Sequence, residues 1–116
     1  MTPKHSHNSL SDLPIRDEEA ALEAVGGDHD LARELFETLL AGLPAELEEL
    51  KRLYTAGDWP ELANLAHQIR GATRYCGVPA LDEILGALQK AAESANQTRI
   101  DALIAGVNQQ ALRLLE

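Results

Sequence analysis

The stretch Trp59–Gly77, WPELANLAHQIRGATRYCG, decides how the rest of the chain is read. Leu62, Leu65, Ala66, Ile69, Thr73 and Cys76 recur at spacings of three and four, which is one buried face of a helix. At about 100° per residue, His67 lies off that stripe, on a side shared with Ala63, Gly71 and Arg74 and near Arg70. The imidazole is therefore expected to face water. Gly71 stands one turn further on, and glycine inside a helix costs about 1 kcal/mol relative to alanine, so the position is expected to need empty space. Arg70 and Arg74 add guanidinium donors that suit an oxyanion.

Working outward, Gly57 closes the preceding helix and Asp58, with Glu61 three residues later, opens this one as a capping-box variant. Before that turn, Leu31, Leu35, Leu39, Leu43, Leu47, Leu50 and Tyr54 form one apolar line from the N-cap Asp28 onward. Pro44 lies within it, and because the apolar phase continues past the proline a kink is expected rather than a break. His29, in the first turn, reads as a solvated residue. Upstream, Asp17–Val25 reads as a short capping helix with Ala21, Leu22 and Val25 inward, stopped by Gly26 and Gly27. Residues 1–12 read as a disordered tail or linker and 13–116 as the domain; His5 and His7 have no nearby partner for a metal. Downstream, Pro79 starts a helix with Leu81, Ile84, Leu85, Leu88 and Ala92 inward. After a turn at 96–98, loosely capped by Thr98 and Asp101, a last stripe is Ile100, Leu103, Ile104, Val107, Ala111, Leu114 and Leu115. The fold class expected is all-α: an antiparallel up-down four-helix bundle with a short N-terminal capping helix.

The chain has 116 residues, 45% hydrophobic and 3% aromatic, enough for one aliphatic core. With 19 acidic against 10 basic residues and a formal net charge of -9, nucleic acid and anionic membranes are disfavoured as partners. No apolar run approaches a membrane span and no signal-peptide core is present, so a cytoplasmic location is expected, with monomer as the default state. The single cysteine, Cys76, falls in the buried phase and reads as a packing residue. Nothing near His67 offers carboxylates at metal-ligand spacing, so no metal and no cofactor are expected in this chain. No glycine-rich nucleotide loop is present, which argues against an autokinase, and no acid pair or serine–histidine arrangement suggests a hydrolase. Composition and spacing leave three readings open: a phosphate-carrying histidine, an adaptor or dimerising bundle, and a metal- or ligand-binding bundle.

The segment Ala66–Ala72, AHQIRGA, resembles the core motif of histidine-containing phosphotransfer (HPt) domains: an exposed histidine, Lys or Arg three residues on, Gly at four and a small residue at five. The wider run from Gly71 to Leu81 is similar to the HPt domain ending hybrid sensor kinases of the BarA/GacS type, and the likeness extends from about Pro14 to the C-terminus. The resemblance implies that His67 accepts a phosphoryl group from a receiver-domain aspartate and passes it to the aspartate of a response regulator. It implies that Arg70 steadies the added charge, that Gly71 lets the partner approach, and that Gln89 donates a hydrogen bond near the phosphoryl group. Ala63, Gln68 and Arg74, with Leu10–Leu13, are candidates for partner contact, and Mg²⁺ is expected in the receiver. Arg70 and Gln68 stand where many relatives carry lysine. The alternative within this likeness is an adaptor that binds a receiver or kinase domain without carrying phosphate.

Overall fold

A computed structural model describes residues 13–116; the expectations for residues 1–12, including His5, His7 and Leu10, lie outside the described residues. Five helices and no strand are present among them: α1 (Glu18–Ala24), α2 (His29–Ala56), α3 (Trp59–Thr73), α4 (Pro79–Glu93) and α5 (Gln97–Leu115). Local chemistry fixes the starts. The side chains of Asp17, Asp28 and Asp58 accept from the backbone N–H groups of Ala20, Leu31 and Glu61, each satisfying a donor that a helix start leaves unpaired. For α5 the cap is Asn96, whose side chain accepts from the Arg99 N–H, and not Thr98 or Asp101. Asn96 sits directly before the first helical residue, where an amide oxygen reaches the third N–H, whereas Thr98 already lies inside the helix.

Helix α2 runs unbroken through Pro44 for 28 residues, about 42 Å at 1.5 Å per residue. Proline removes one N–H, and the apolar contacts on either side hold the helix together across that gap. Packing joins α2 to α3, α3 to α4, α4 to α5 and α5 back to α2, while α1 lies on α2; the α3–α4 pairing is the most extensive. The core between them is aliphatic, with Leu43, Leu50, Leu62, Ile69, Leu81, Leu85, Leu88 and Ile100 essentially without solvent contact. Two expected stripe members fall outside it: Leu31 is 38% exposed and Leu115 is 36% exposed. Both sit at helix ends, where the neighbouring helices no longer cover them.

The α2–α3 corner carries the only tryptophan of the chain, with the Trp59 and Tyr54 ring centroids 6.2 Å apart. The Tyr54 hydroxyl donates to Asp101 Oδ1 at 2.6 Å, tying α2 to α5, and this bond to a carboxylate raises the phenol's pKa.

The segment before α1 is pinned to the α3–α4 connection. Asp17 N–H donates to the Gly77 carbonyl at 2.7 Å, Ala80 N–H to the Pro14 carbonyl at 3.2 Å, and Arg16 Nη1 to the Cys76 carbonyl at 3.0 Å. The Arg16 guanidinium also sits 4.0 Å from the Phe36 ring centroid, within cation–π range. Cys76 is buried as expected, but in the α3–α4 connection and not on the helix, because α3 ends at Thr73; burial pushes its thiol pKa up, with Arg16 opposing the shift.

The α4–α5 turn stores strain. Ala95 has φ +53, and the bonds from Ala95 N–H to Ala92 O and Asn96 N–H to Ala91 O form a Schellman motif whose left-handed position favours glycine. Ala95→Gly is expected to stabilise the domain by about 0.5–1 kcal/mol, the relief of left-handed strain exceeding the added chain entropy. Urea denaturation with an unchanged or lower midpoint would contradict this.

Candidate functional site

Helix α3 presents His67, Gln68 and Gly71 to solvent, and Arg74, the residue that caps its C-terminus, is exposed as well. A Cβ placed on Gly71 would meet nothing within 4 Å, so neither a close approach nor a backbone angle of this fold requires glycine there. The helix accepts the cost of glycine and leaves the space beside His67 open to something outside the chain.

Ala63 does not share that exposure. It is 5% exposed and belongs to the core, which removes it as a contact residue. The buried stripe of α3 is therefore broader than spacing alone suggested. Arg70, seven residues on and so on nearly the same side, turns the same way. Its Nε and Nη2 donate to Asp82 Oδ1 and Oδ2, each at 3.3 Å, in a forked ion pair with both side chains about four-fifths buried. Thr73 Oγ1 donates to Asp82 Oδ1 at 2.7 Å, which satisfies the one buried hydroxyl of the stripe.

Gly86 completes this arrangement. A Cβ there would lie 2.8 Å from Arg70 Nη1 and 2.9 Å from its Cζ, so α4 keeps a glycine where the guanidinium lies against the helix. Arg70 is therefore a fixed cation one turn from His67, held by Asp82, and not a mobile arm free to follow a ligand.

Gln89 lies on α4 and is half-buried, with Nε2 donating to Glu93 Oε2 at 3.0 Å. One of its two N–H donors is thus engaged along its own helix, and none of the hydrogen bonds of the described residues joins it to His67. Leu13 is partly buried rather than offered to a partner. The residues that sequence reasoning missed are Asp82 and Gly86. Gly86 carried a readable signal, a glycine inside a helix; Asp82 carried none, being an ordinary first-turn acid on the next helix. Among the described residues, no group of three or more His, Cys, Asp or Glu side chains could hold a metal ion, and no helix is long and apolar enough to cross a membrane.

The described residues thus form an all-helical domain that displays a histidine one turn from a glycine its own fold does not require. The chain is a member of the Hpt domain family, whose profile matches residues 34–115. It is similar to the sensor histidine kinase GacS of Pseudomonas protegens, 40% identical over 70 residues, which is 60% of this chain and 8% of that protein. It is also similar to the virulence sensor protein BvgS of Bordetella pertussis, 28% identical over 88 residues (74% of this chain, 7% of that protein). The signal transduction histidine-protein kinase BarA of Shigella flexneri is 29% identical over 98 residues, 84% of this chain and 11% of that protein. The chain thus spans about a tenth of the length of these relatives. No solved structure gives a significant match. Membership places the chain in phosphorelay signalling of the two-component type, as a phosphotransfer domain and not as a kinase itself.

Proposed function

We propose that this chain is a phosphorelay carrier in which His67 takes a phosphoryl group from the aspartate of one receiver domain and delivers it to the aspartate of a response regulator. The scaffold would be an antiparallel up-down four-helix bundle, α2 to α5, with α1 as its cap. The observation that carries the reading is the open space over Gly71 beside an exposed His67, which nothing in the fold itself requires.

Transfer passes through a loose, in-line transition state, so positioning and electrostatics supply most of the catalysis. An imidazole nitrogen lone pair attacks phosphorus, the bond from phosphorus to the aspartyl oxygen breaks, and the leaving electron pair remains on the aspartate as carboxylate. The other ring nitrogen holds the proton or releases it to water. Arg70, fixed by Asp82, supplies a stationary positive charge near the site, and Gln89 has one N–H left to donate. Gln68 on α3 and Arg74 at its C-cap, both exposed, are the residues this reading assigns to partner contact. Mg²⁺ belongs to the carboxylates of the receiver, and this chain brings no metal or cofactor of its own. It acts as a monomer on the cytoplasmic side.

The test is transfer from a radiolabelled, phosphorylated receiver domain of a hybrid sensor kinase in Mg²⁺, comparing the wild type with His67→Gln. An acid-labile label on the wild type alone is expected. Binding of the receiver without label on either protein would replace the carrier reading with that of a non-phosphorylated adaptor.

A further inference from the structure

We propose that the outer face of α4 forms a cationic docking edge, built from Arg70, Lys90 and Arg99, that captures a carboxylate-rich rim of the receiver domain and sets the rate of encounter with His67. This rests on the carrier reading and deepens it by naming the chemistry of the partner's contact surface.

A cleft of about 440 Å³ lies on that face, with Arg70, Glu83, Gly86, Lys90, Asn96 and Arg99 among its walls. Three of the ten Lys and Arg residues converge there, with Glu83 the one carboxylate in the lining, in a chain that carries 19 acidic residues. Such a concentration runs against the overall charge of -9. The ion pairs of the described residues engage Arg33, Arg52 and Arg70, so Lys90 and Arg99 hold no carboxylate of this chain among those residues. Both are exposed.

The third cation is held in place. Asp82 and Gly86 fix the Arg70 guanidinium across the α3–α4 seam, so it borders the cleft while its own residue stands one turn from His67. Arg70 thus ties the cleft to α3, the helix that carries His67. At the far end, Asn96 spends its side-chain oxygen on the Arg99 N–H, and the first turn of the 19-residue helix α5 adds the positive end of a helix dipole.

The occupant follows from chemistry. A domain that presents a phosphorylatable aspartate and holds Mg²⁺ must gather oxygen ligands, carboxylates above all, around one spot. Opposite charge on the facing rim steers encounter and register more than it adds affinity. The cleft is an open stretch of surface with its cations set one each on α3, α4 and α5, which suits a broad acidic rim better than one small anion.

The experiment measures the second-order rate of transfer from the phosphorylated receiver at low salt and at about 0.5 M salt. Lys90→Glu with Arg99→Glu is compared with Lys51→Glu with Arg113→Glu, which makes the same change in formal charge at exposed positions outside this cleft. The cleft variant is expected to slow transfer about tenfold at low salt, while the matched variant stays within about twofold of wild type. At about 0.5 M salt, where the Debye length is about 4 Å, the difference should shrink below about twofold. Equal slowing by both variants, or a loss indifferent to salt, overturns the docking edge while leaving the carrier reading intact. A wild type that takes no label removes both. If inorganic phosphate saturably shifts the amide resonances of Lys90 and Arg99 while the cleft variant transfers normally, the cleft is a small-anion site and the proposal falls.

Discussion

Gly71→Gln is expected to leave the helix content unchanged by circular dichroism and to reduce phosphoryl transfer to His67 by about 100-fold or more, the scale of loss that follows from displacing reacting groups by about 1 Å. The two halves of this expectation have separate causes. The fold tolerates the side chain because a Cβ at Gly71 meets nothing within 4 Å, and replacing glycine in a helix interior adds helix propensity. Transfer fails because residue 71 stands one turn from residue 67, so a long side chain there occupies the approach to the imidazole. Gly71→Ala separates size from backbone effects and should retain most of the rate. Wild-type transfer by the Gln variant would show that the open space serves no partner, leaving the glycine without a function in the site.

The second large effect belongs to stability. Gly77→Ala should lower it by about 3 kcal/mol, roughly 10 °C in Tm, since a left-handed residue other than glycine costs about 1–2 kcal/mol and a steric clash adds more. Gly77 has φ +64, and a Cβ there would run into the Asp17 carbonyl oxygen and stand 2.8 Å from the Ala21 Cβ. Backbone cannot rotate aside as a lysine tip can, and the Asp17 N–H to Gly77 carbonyl bond would be pushed apart with it. Gly57 offers the comparison. It has φ +70 with open space around it, so Gly57→Ala should show the conformational cost alone, about 1 kcal/mol. Thermal melts in which both variants lose the same amount would show that the α1 segment gives way instead of clashing.

The helices were legible because their signals are local. Apolar spacing, the aspartates at three helix starts and the glycines at the turns all act within a few residues, and they give the order of α1 to α5 and most of their bounds, although α3 stops at Thr73, four residues short of the Gly77 that the spacing suggested. The exposure of His67 and Gly71 was legible for the same reason. What spacing cannot supply is which neighbour covers which flank. Ala63 looked exposed beside His67, yet it lies buried in the core. Arg70 looked free to meet a phosphoryl group, yet its head lies against Gly86 and in the carboxylate of Asp82, twelve residues away across a turn. Periodicity gives the mean direction of a stripe, while its width and the posture of long side chains at its edge are set by the packed partner. Leu31 and Leu115 fail in the opposite sense, being apolar by pattern but lying where no partner reaches.

The corner where Trp59 meets Tyr54 gives the molecule a built-in optical reporter. The sole indole begins the helix that carries His67, yet sits eight residues from it, about 12 Å along the axis. Its emission depends on whether α2 and α3 remain folded against each other, and His67, the residue proposed to take the phosphoryl group, lies two turns away with a side chain that does not contribute to that signal. Loss of structure and loss of transfer are therefore distinguishable in one sample: a variant that emits like wild type but takes no label has an altered site, and one that emits like the unfolded chain has lost its scaffold.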